Sequence, residues 1–279
     1  MKHNIADLRY RTICLRIVPL WGPVVYLTEY IHDLTMDGHA YKTDSGYEFT
    51  GLAAEANMAP GVMDLTAIAD LAGIGFDQVR AGVFDNARVY CFATTWLNPV
   101  EDEEPLGVAF MGKTKTADKR YTIELMMMID ALNQAVGKTY NVMCQKRFGG
   151  QEYAGCKVDL AAITVTGTLT GANEDRMTFQ DTARTEAADW FGEGTLAFTT
   201  GGNAGLKPME IKTYGATGII ICYEAFHYPV QIGDEYIMIP GCRKRGAEDC
   251  RDKWHNQYNF GGFPHIPLSS DYVRLGGQQ

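Results

Sequence analysis

Seven cysteines are spread over the 279 residues of the chain, and four of them share a setting that suits metal. Cys144 lies in Met143-Cys144-Gln145-Lys146-Arg147 and Cys156 in Gly155-Cys156-Lys157. Cys242 lies in Pro240-Gly241-Cys242-Arg243-Lys244-Arg245 and Cys250 in Asp249-Cys250-Arg251-Asp252-Lys253. Each is in a turn-like context with a cation beside it. Basic neighbours lower a thiol pKa and favour the thiolate, the form that binds metal. They also offset the charge of a four-thiolate centre. Eleven residues separate the first pair and seven the second. No Cys-x-x-Cys is present, so neither a zinc-ribbon nor a ferredoxin motif applies. Spacing leaves a shared metal site and separate reduced thiols both open, and within a shared site it leaves zinc and iron–sulfur both open. Cys14, Cys91 and Cys222 differ, because each lies in an apolar, strand-like run. Free cysteine behaves there as a small buried hydrophobe.

Other chemistries find little support. Gly107-Val108-Ala109-Phe110-Met111-Gly112-Lys113-Thr114 matches the letters of a phosphate-binding P-loop. That motif must follow a strand and open a helix, whose N-terminal N–H groups hold the phosphates. Here the intervening residues are themselves strand-like and a polar turn follows, so a hairpin is expected. The six histidines are scattered and form no zinc-binding helix pattern. A thiol nucleophile would need an accessible cysteine paired with a base, and none is apparent.

The formal net charge is −9, which argues against a general grip on nucleic acid. An acidic surface suits a channel that DNA must cross without sticking, since like charges repel. No apolar run is long enough to span a bilayer. The N-terminus lacks a secretory h-region, so the protein is expected to be made in the cytosol, where thiols stay reduced.

The elements that must position these cysteines read mostly as β. Residues 12–18, 24–30 and 88–96 are strand-like, and Asp37-Gly38 marks a hairpin. Residues 108–111 and 121–128 read as strands joined by a charged turn. Helix signals are confined to 77–82 and 130–136. After Gly149-Gly150, residues 158–170, 195–200, 209–214, 219–226 and 236–239 continue as short strands, with spacing that suits barrels or sandwiches. Residues 241–279 are rich in Arg, Lys, Asn, Gly and Pro with little periodicity, so something other than a hydrophobic face must order them. Metal binding can supply folding energy of that kind. The expected fold is mainly β, with two barrel- or sandwich-like domains at 1–143 and 144–279, few short helices, and an irregular C-terminal segment pinned by a metal cluster.

Residues 77–96, with Arg80-Ala81-Gly82 and Asp85-Asn86-Ala87-Arg88-Val89, resemble the first half of a family of phage and gene-transfer-agent tail proteins. The resemblance runs on through Cys144-Gln145-Lys146-Arg147-Phe148-Gly149 and Gly155-Cys156-Lys157-Val158-Asp159-Leu160. It ends in Gly241-Cys242, Cys250 and Asn259-Phe260-Gly261-Gly262-Phe263-Pro264-His265-Ile266-Pro267, and so covers most of the chain. Members are similar to the hub protein of gene transfer agents and, more distantly, to the tail tip protein L of lambda-like phages. The resemblance implies a non-enzymatic virion protein of the tail tip, a baseplate hub. It would form a homotrimeric ring between the distal tail ring and the central fibre or spike, with DNA only in transit during ejection. It also implies a 4Fe–4S iron–sulfur cluster held by Cys144, Cys156, Cys242 and Cys250. The first pair is spaced more widely than in the compact family version, through residues 150–154. Cys222 is the one substitute for Cys156 in this half, and its apolar strand makes it a poor one. Competing readings are a tail-associated, cysteine-dependent cell-wall hydrolase and a zinc-stapled interaction module.

Overall fold

Runs of β-branched and aromatic residues, bounded by Gly and Pro, become strands almost wherever they occur. A computed structural model describes residues 9–43, 47–49, 62–68, 74–97, 103–117, 120–127, 137 and 139–266. The helix expected at 130–136 and the residues from Pro267 onward lie outside the described residues. The chain divides into two compact units, Met1–Ala135 and Val136–Gln279. It is mainly β, with few and short helices.

The first unit contains β1 (Arg11–Val18), β2 (Val25–Thr28), β3 (Leu34–Met36), β4 (His39–Tyr41), β5 (Tyr47–Phe49), β6 (Val62–Ile68), α1 (Phe76–Arg80), β7 (Arg88–Thr95), β8 (Glu104–Ala117) and β9 (Arg120–Met127). Seven of these strands form one antiparallel sheet in the order β2-β1-β7-β8-β9-β6-β5. The β3–β4 hairpin turns at Asp37 and Gly38, both at positive φ (49° and 77°), as a two-residue primed turn requires. Its Leu34, Met36 and Tyr41 pack with Cys14 and Phe92 of the sheet. The P-loop-like string lies inside β8, paired to β7 on one side and β9 on the other. Both of its glycines fall at irregularities of the ladder, between Pro105 and Gly107 and between Met111 and Thr114. The strand runs on to Ala117, and among the described residues no helix directly follows the string.

The second unit contains α2 (Leu160–Ile163), β10 (Val165–Thr168), β11 (Gly171–Ala172), β12 (Thr178–Gln180), β13 (Thr195–Phe198), β14 (Met209–Tyr214), β15 (Ile219–Cys222) and β16 (Glu235–Ile239). Their sheet runs β10-β16-β13-β14-β15-β12-β11. Its two edge strands, β10 and β11, are consecutive in the chain. Leu169 N–H donates to Asp234 O near one edge and Thr170 N–H to Gln180 O near the other, so the sheet curls round on itself. The core inside includes Phe179, Phe191, Phe198, Phe226, Ile211 and Met238. Fully burying a side chain of this size is worth roughly 1.5–3 kcal/mol.

Two expectations need correction. Residues 158–170 are not one strand: Asp159 caps α2 by accepting from Ala161 N–H at 3.0 Å, and the strand starts only at Val165. A local side-chain cap outweighs β-propensity there. Nor is the segment after β16 simply irregular. Gly246–Lys253 forms a π-type helical turn, in which Cys250 N–H donates to Arg245 O and Trp254 N–H to Asp249 O, five residues back. A 3-10 turn follows at Gln257–Asn259.

Candidate metal centre

Two separated stretches of the second unit build one pocket, and Cys144, Cys156, Cys242 and Cys250 all line it. Cys144 sits on the loop before Gly149, and its N–H donates to Lys244 O at 2.8 Å, tying the first stretch to the second. Cys156 leaves a tight turn in which Gly155 N–H donates to Glu152 O at 2.8 Å and Lys157 N–H to Gly150 O at 2.9 Å. A Cβ at Gly155 would stand 2.4 Å from Gly150 O, so only glycine fits. Cys242 follows β16 through Gly241, where a Cβ would meet the Glu193 and Gly194 backbone at 1.9–2.2 Å. That closeness carries the chain from the sheet to the pocket. Cys250 is placed by the π turn.

The turn is locked by charge. Arg245 donates to Asp249 from its backbone N–H at 3.1 Å and from Nε at 2.9 Å. Burial alone would raise the Asp249 pKa, but the Arg245 hydrogen bonds and charge hold it below the usual carboxylate range. Further ties cross between the stretches. Lys146 Nζ donates to Asn259 O at 2.6 Å and Lys244 Nζ to Lys146 O at 2.7 Å. Asn256 Nδ2 donates to Cys156 O at 2.5 Å, and Asn259 Nδ2 to Asn256 Oδ1 at 2.7 Å. Trp254 packs between Phe148 and Trp190, with ring centroids 5.0 and 5.4 Å away. Lys253 Nζ donates to Trp190 O at 2.6 Å and to Gly241 O at 3.1 Å.

The donor set fits an acceptor of thiolates. Backbone N–H groups already reach two sulfurs: Gly261 donates to Cys144 Sγ at 3.3 Å and Lys244 to Cys242 Sγ at 3.4 Å. The Asn256 amide stands 3.6 Å from Cys156 Sγ. Cys250 Sγ instead donates to Asn256 O at 3.1 Å. The sulfurs feel one another: burial and then the neighbouring Cys144, Cys156 and Cys242 push the Cys250 thiol up to about 11. Burial also raises Cys242, against the pull of Lys244. At Cys242 and Cys250 this runs against the sequence-based expectation of depressed thiols, because desolvation outweighs the partly solvated lysines. Among the described residues, no three His, Cys, Asp or Glu side chains gather closely enough to hold a single ion.

Cys222 lies elsewhere, fully buried in the sheet core, and it does not line the pocket. Cys14 and Cys91 are buried in the first unit. His265 is exposed and outside the pocket lining. Sequence reasoning missed Asn256, Trp254 and the lysine clasps. Their one signal was a density of Asn, Lys and Trp in a segment without periodicity.

Residues 5–159, more than half of the chain, match the family model described as "Baseplate hub protein, N-terminal attachment domain". The chain belongs to the baseplate hub protein family, whose place is the tail tip of a phage or phage-like particle. Residues 189–270 match a second family, "Phage conserved hypothetical protein BR0599". Cys144 and Cys156 fall in the first matched span, Cys242 and Cys250 in the second. A chain of the solved structure "Virion of native gene transfer agent (GTA) particle" shares the fold. It is 23% identical, with a TM-score of 0.85, over 98% of this chain and 95% of that one. No curated protein matches the chain.

Proposed function

We propose that this baseplate hub is a non-enzymatic structural ring protein stapled by an iron–sulfur cluster on Cys144, Cys156, Cys242 and Cys250. The observation that carries this reading is the convergence of all four cysteines, drawn from two distant stretches, on one pocket. Cys144, Cys156, Cys242 and Cys250 would hold the cluster, and its iron–thiolate bonds would cross-link residues 144–156 to residues 242–250. Binding energy of this kind adds directly to folding. The lysine clasps and the Arg245–Asp249 pair hold the two stretches in place for it. Four thiols and no histidine in the lining would suit a 4Fe–4S cluster, with zinc as the alternative. The hydrolase reading is disfavoured by the same pocket, since its lining holds no histidine and the Cys250 thiol is raised rather than lowered.

The assembly reading rests on family membership and on likeness to a virion chain. In it the protein forms a homotrimer between the distal tail ring and the central fibre or spike, in a mainly β barrel-like architecture. The net charge of −9 suits passage of DNA without adhesion. The test is iron, acid-labile sulfide and zinc analysis of anaerobically purified protein, with Cys144, Cys156, Cys242 and Cys250 each changed to Ser. Matched iron and sulfide that vanish in every one of these variants support the cluster. A single zinc retains the site and changes the metal. A metal-free, folded wild type rejects the site.

A further inference from the structure

The cysteine sulfurs do not have equal partners. Those of Cys144, Cys242 and Cys156 each have an N–H group at 3.3–3.6 Å. Cys250 has none; its sulfur spends its own hydrogen on Asn256 O. When metal binds, that proton leaves to solvent and an S–metal bond takes its place. The sulfur can then only accept. Four residues along the π turn, the indole of Trp254 lines the same pocket, and its Nε1–H is buried with no hydrogen-bond partner. A buried donor without an acceptor forfeits its hydration for nothing, and such groups are rare in native proteins. One other described side-chain atom shares this state, Arg184 Nε, and it has the Asp181 carboxylate 3.7 Å away. The Trp254 ring is held by Phe148, by Trp190 and by the Lys253 ammonium 4.8 Å over its face, contacts it would have to give up to turn its N–H to water.

We infer that the Trp254 indole N–H is a donor reserved for an anionic sulfur of the bound metal centre, either the Cys250 thiolate or a sulfide of the cluster. Trp254 is thus a positioning residue that completes the N–H···S set and tunes the centre. This rests on the proposed metal site. Hydrogen bonds to cluster sulfurs raise the reduction potential, and outer-shell partners commonly contribute about 10–100-fold in metal affinity.

Trp254→Phe keeps an aromatic ring against Phe148 and Trp190 and deletes the N–H. The reconstituted variant should hold iron and sulfide at the wild-type ratio, show a lower reduction potential, and lose its cluster to a chelator about tenfold faster or more. A second measurement does not depend on the variant's packing. In 15N-tryptophan-labelled wild type, the Trp254 indole N–H should exchange with deuterium more slowly after cluster reconstitution than in metal-free protein. A reconstituted wild type with unchanged indole exchange, or a variant with unchanged potential and chelator resistance, overturns this inference alone. A wild type that binds no cluster overturns it together with the proposed site.

Discussion

At Cys250, burial and the three neighbouring sulfurs act in the same direction, and the thiol rises to about 11. In the metal-free pocket Cys250 therefore keeps its proton, and binding metal there must release it. Cys14 and Cys91, at about 11, and Cys222, at about 12, are raised by burial alone or nearly so. Their folded values exceed that of an unfolded thiol, about 8.5. The stability they confer is full below that pH and is lost as pH climbs toward 11–12. The urea midpoint of metal-free protein should fall between pH 8.5 and pH 10; a flat midpoint over that window would contradict the assignment. Asp249→Asn should lower the stability of the second unit by about 1–2 kcal/mol, the figure discounted because Arg245 is partly exposed. Thermal melting checks this, with no loss expected from Asp252→Asn on the exposed surface. The cysteines were legible in sequence because cysteine beside Arg and Lys in turns is unlike cysteine in an apolar strand. Asn256 and Trp254 were not, because the first is placed by Cys156, a hundred residues away, and the ring of the second by Phe148 and Trp190 from distant parts of the chain.

Strands were the most readable elements, since their alternation records burial directly. β1, with Cys14 buried on one face and Leu15 and Ile17 on the other, and the Asp37-Gly38 hairpin follow from local rules. The misreadings arose where a local cap or a tertiary tie overrode pattern, at α2 and at the π turn. Gly38→Ala forces a Cβ into positive φ and should cost about 1–2 kcal/mol; differential scanning calorimetry should show the loss in the first unit's transition alone. The π turn makes a sharper prediction. Deleting Ala247 removes the extra residue that an i→i−5 turn accommodates, and should rotate Cys250 by about 100° relative to the residues before it. Metal uptake should then be lost while the far-ultraviolet β signature persists. Retained iron in that variant would show that the turn does not set the register of Cys250.

For the whole molecule, the cysteine pocket lies where the two family matches meet, one supplying Cys144 and Cys156 and the other Cys242 and Cys250. The metal centre, on this account, holds together one unit whose sheet ends well before its C-terminal segment does. A hub ring built from such units should be trimeric by light scattering at high concentration. A strictly monomeric protein under all conditions would count against the ring. Mainly β architecture was readable from strand-like runs and turn signals, and acidic charge from composition; the curl that brings β10 and β11 to opposite edges of one sheet was not, because strand order is a property of long-range pairing. The most direct measurement is a Mössbauer spectrum of 57Fe-enriched protein purified without oxygen. The account predicts about four irons per chain in a single thiolate-ligated cubane signal, absent from Cys144→Ser and Cys250→Ser. An iron-free or adventitious-iron spectrum from folded protein would contradict it.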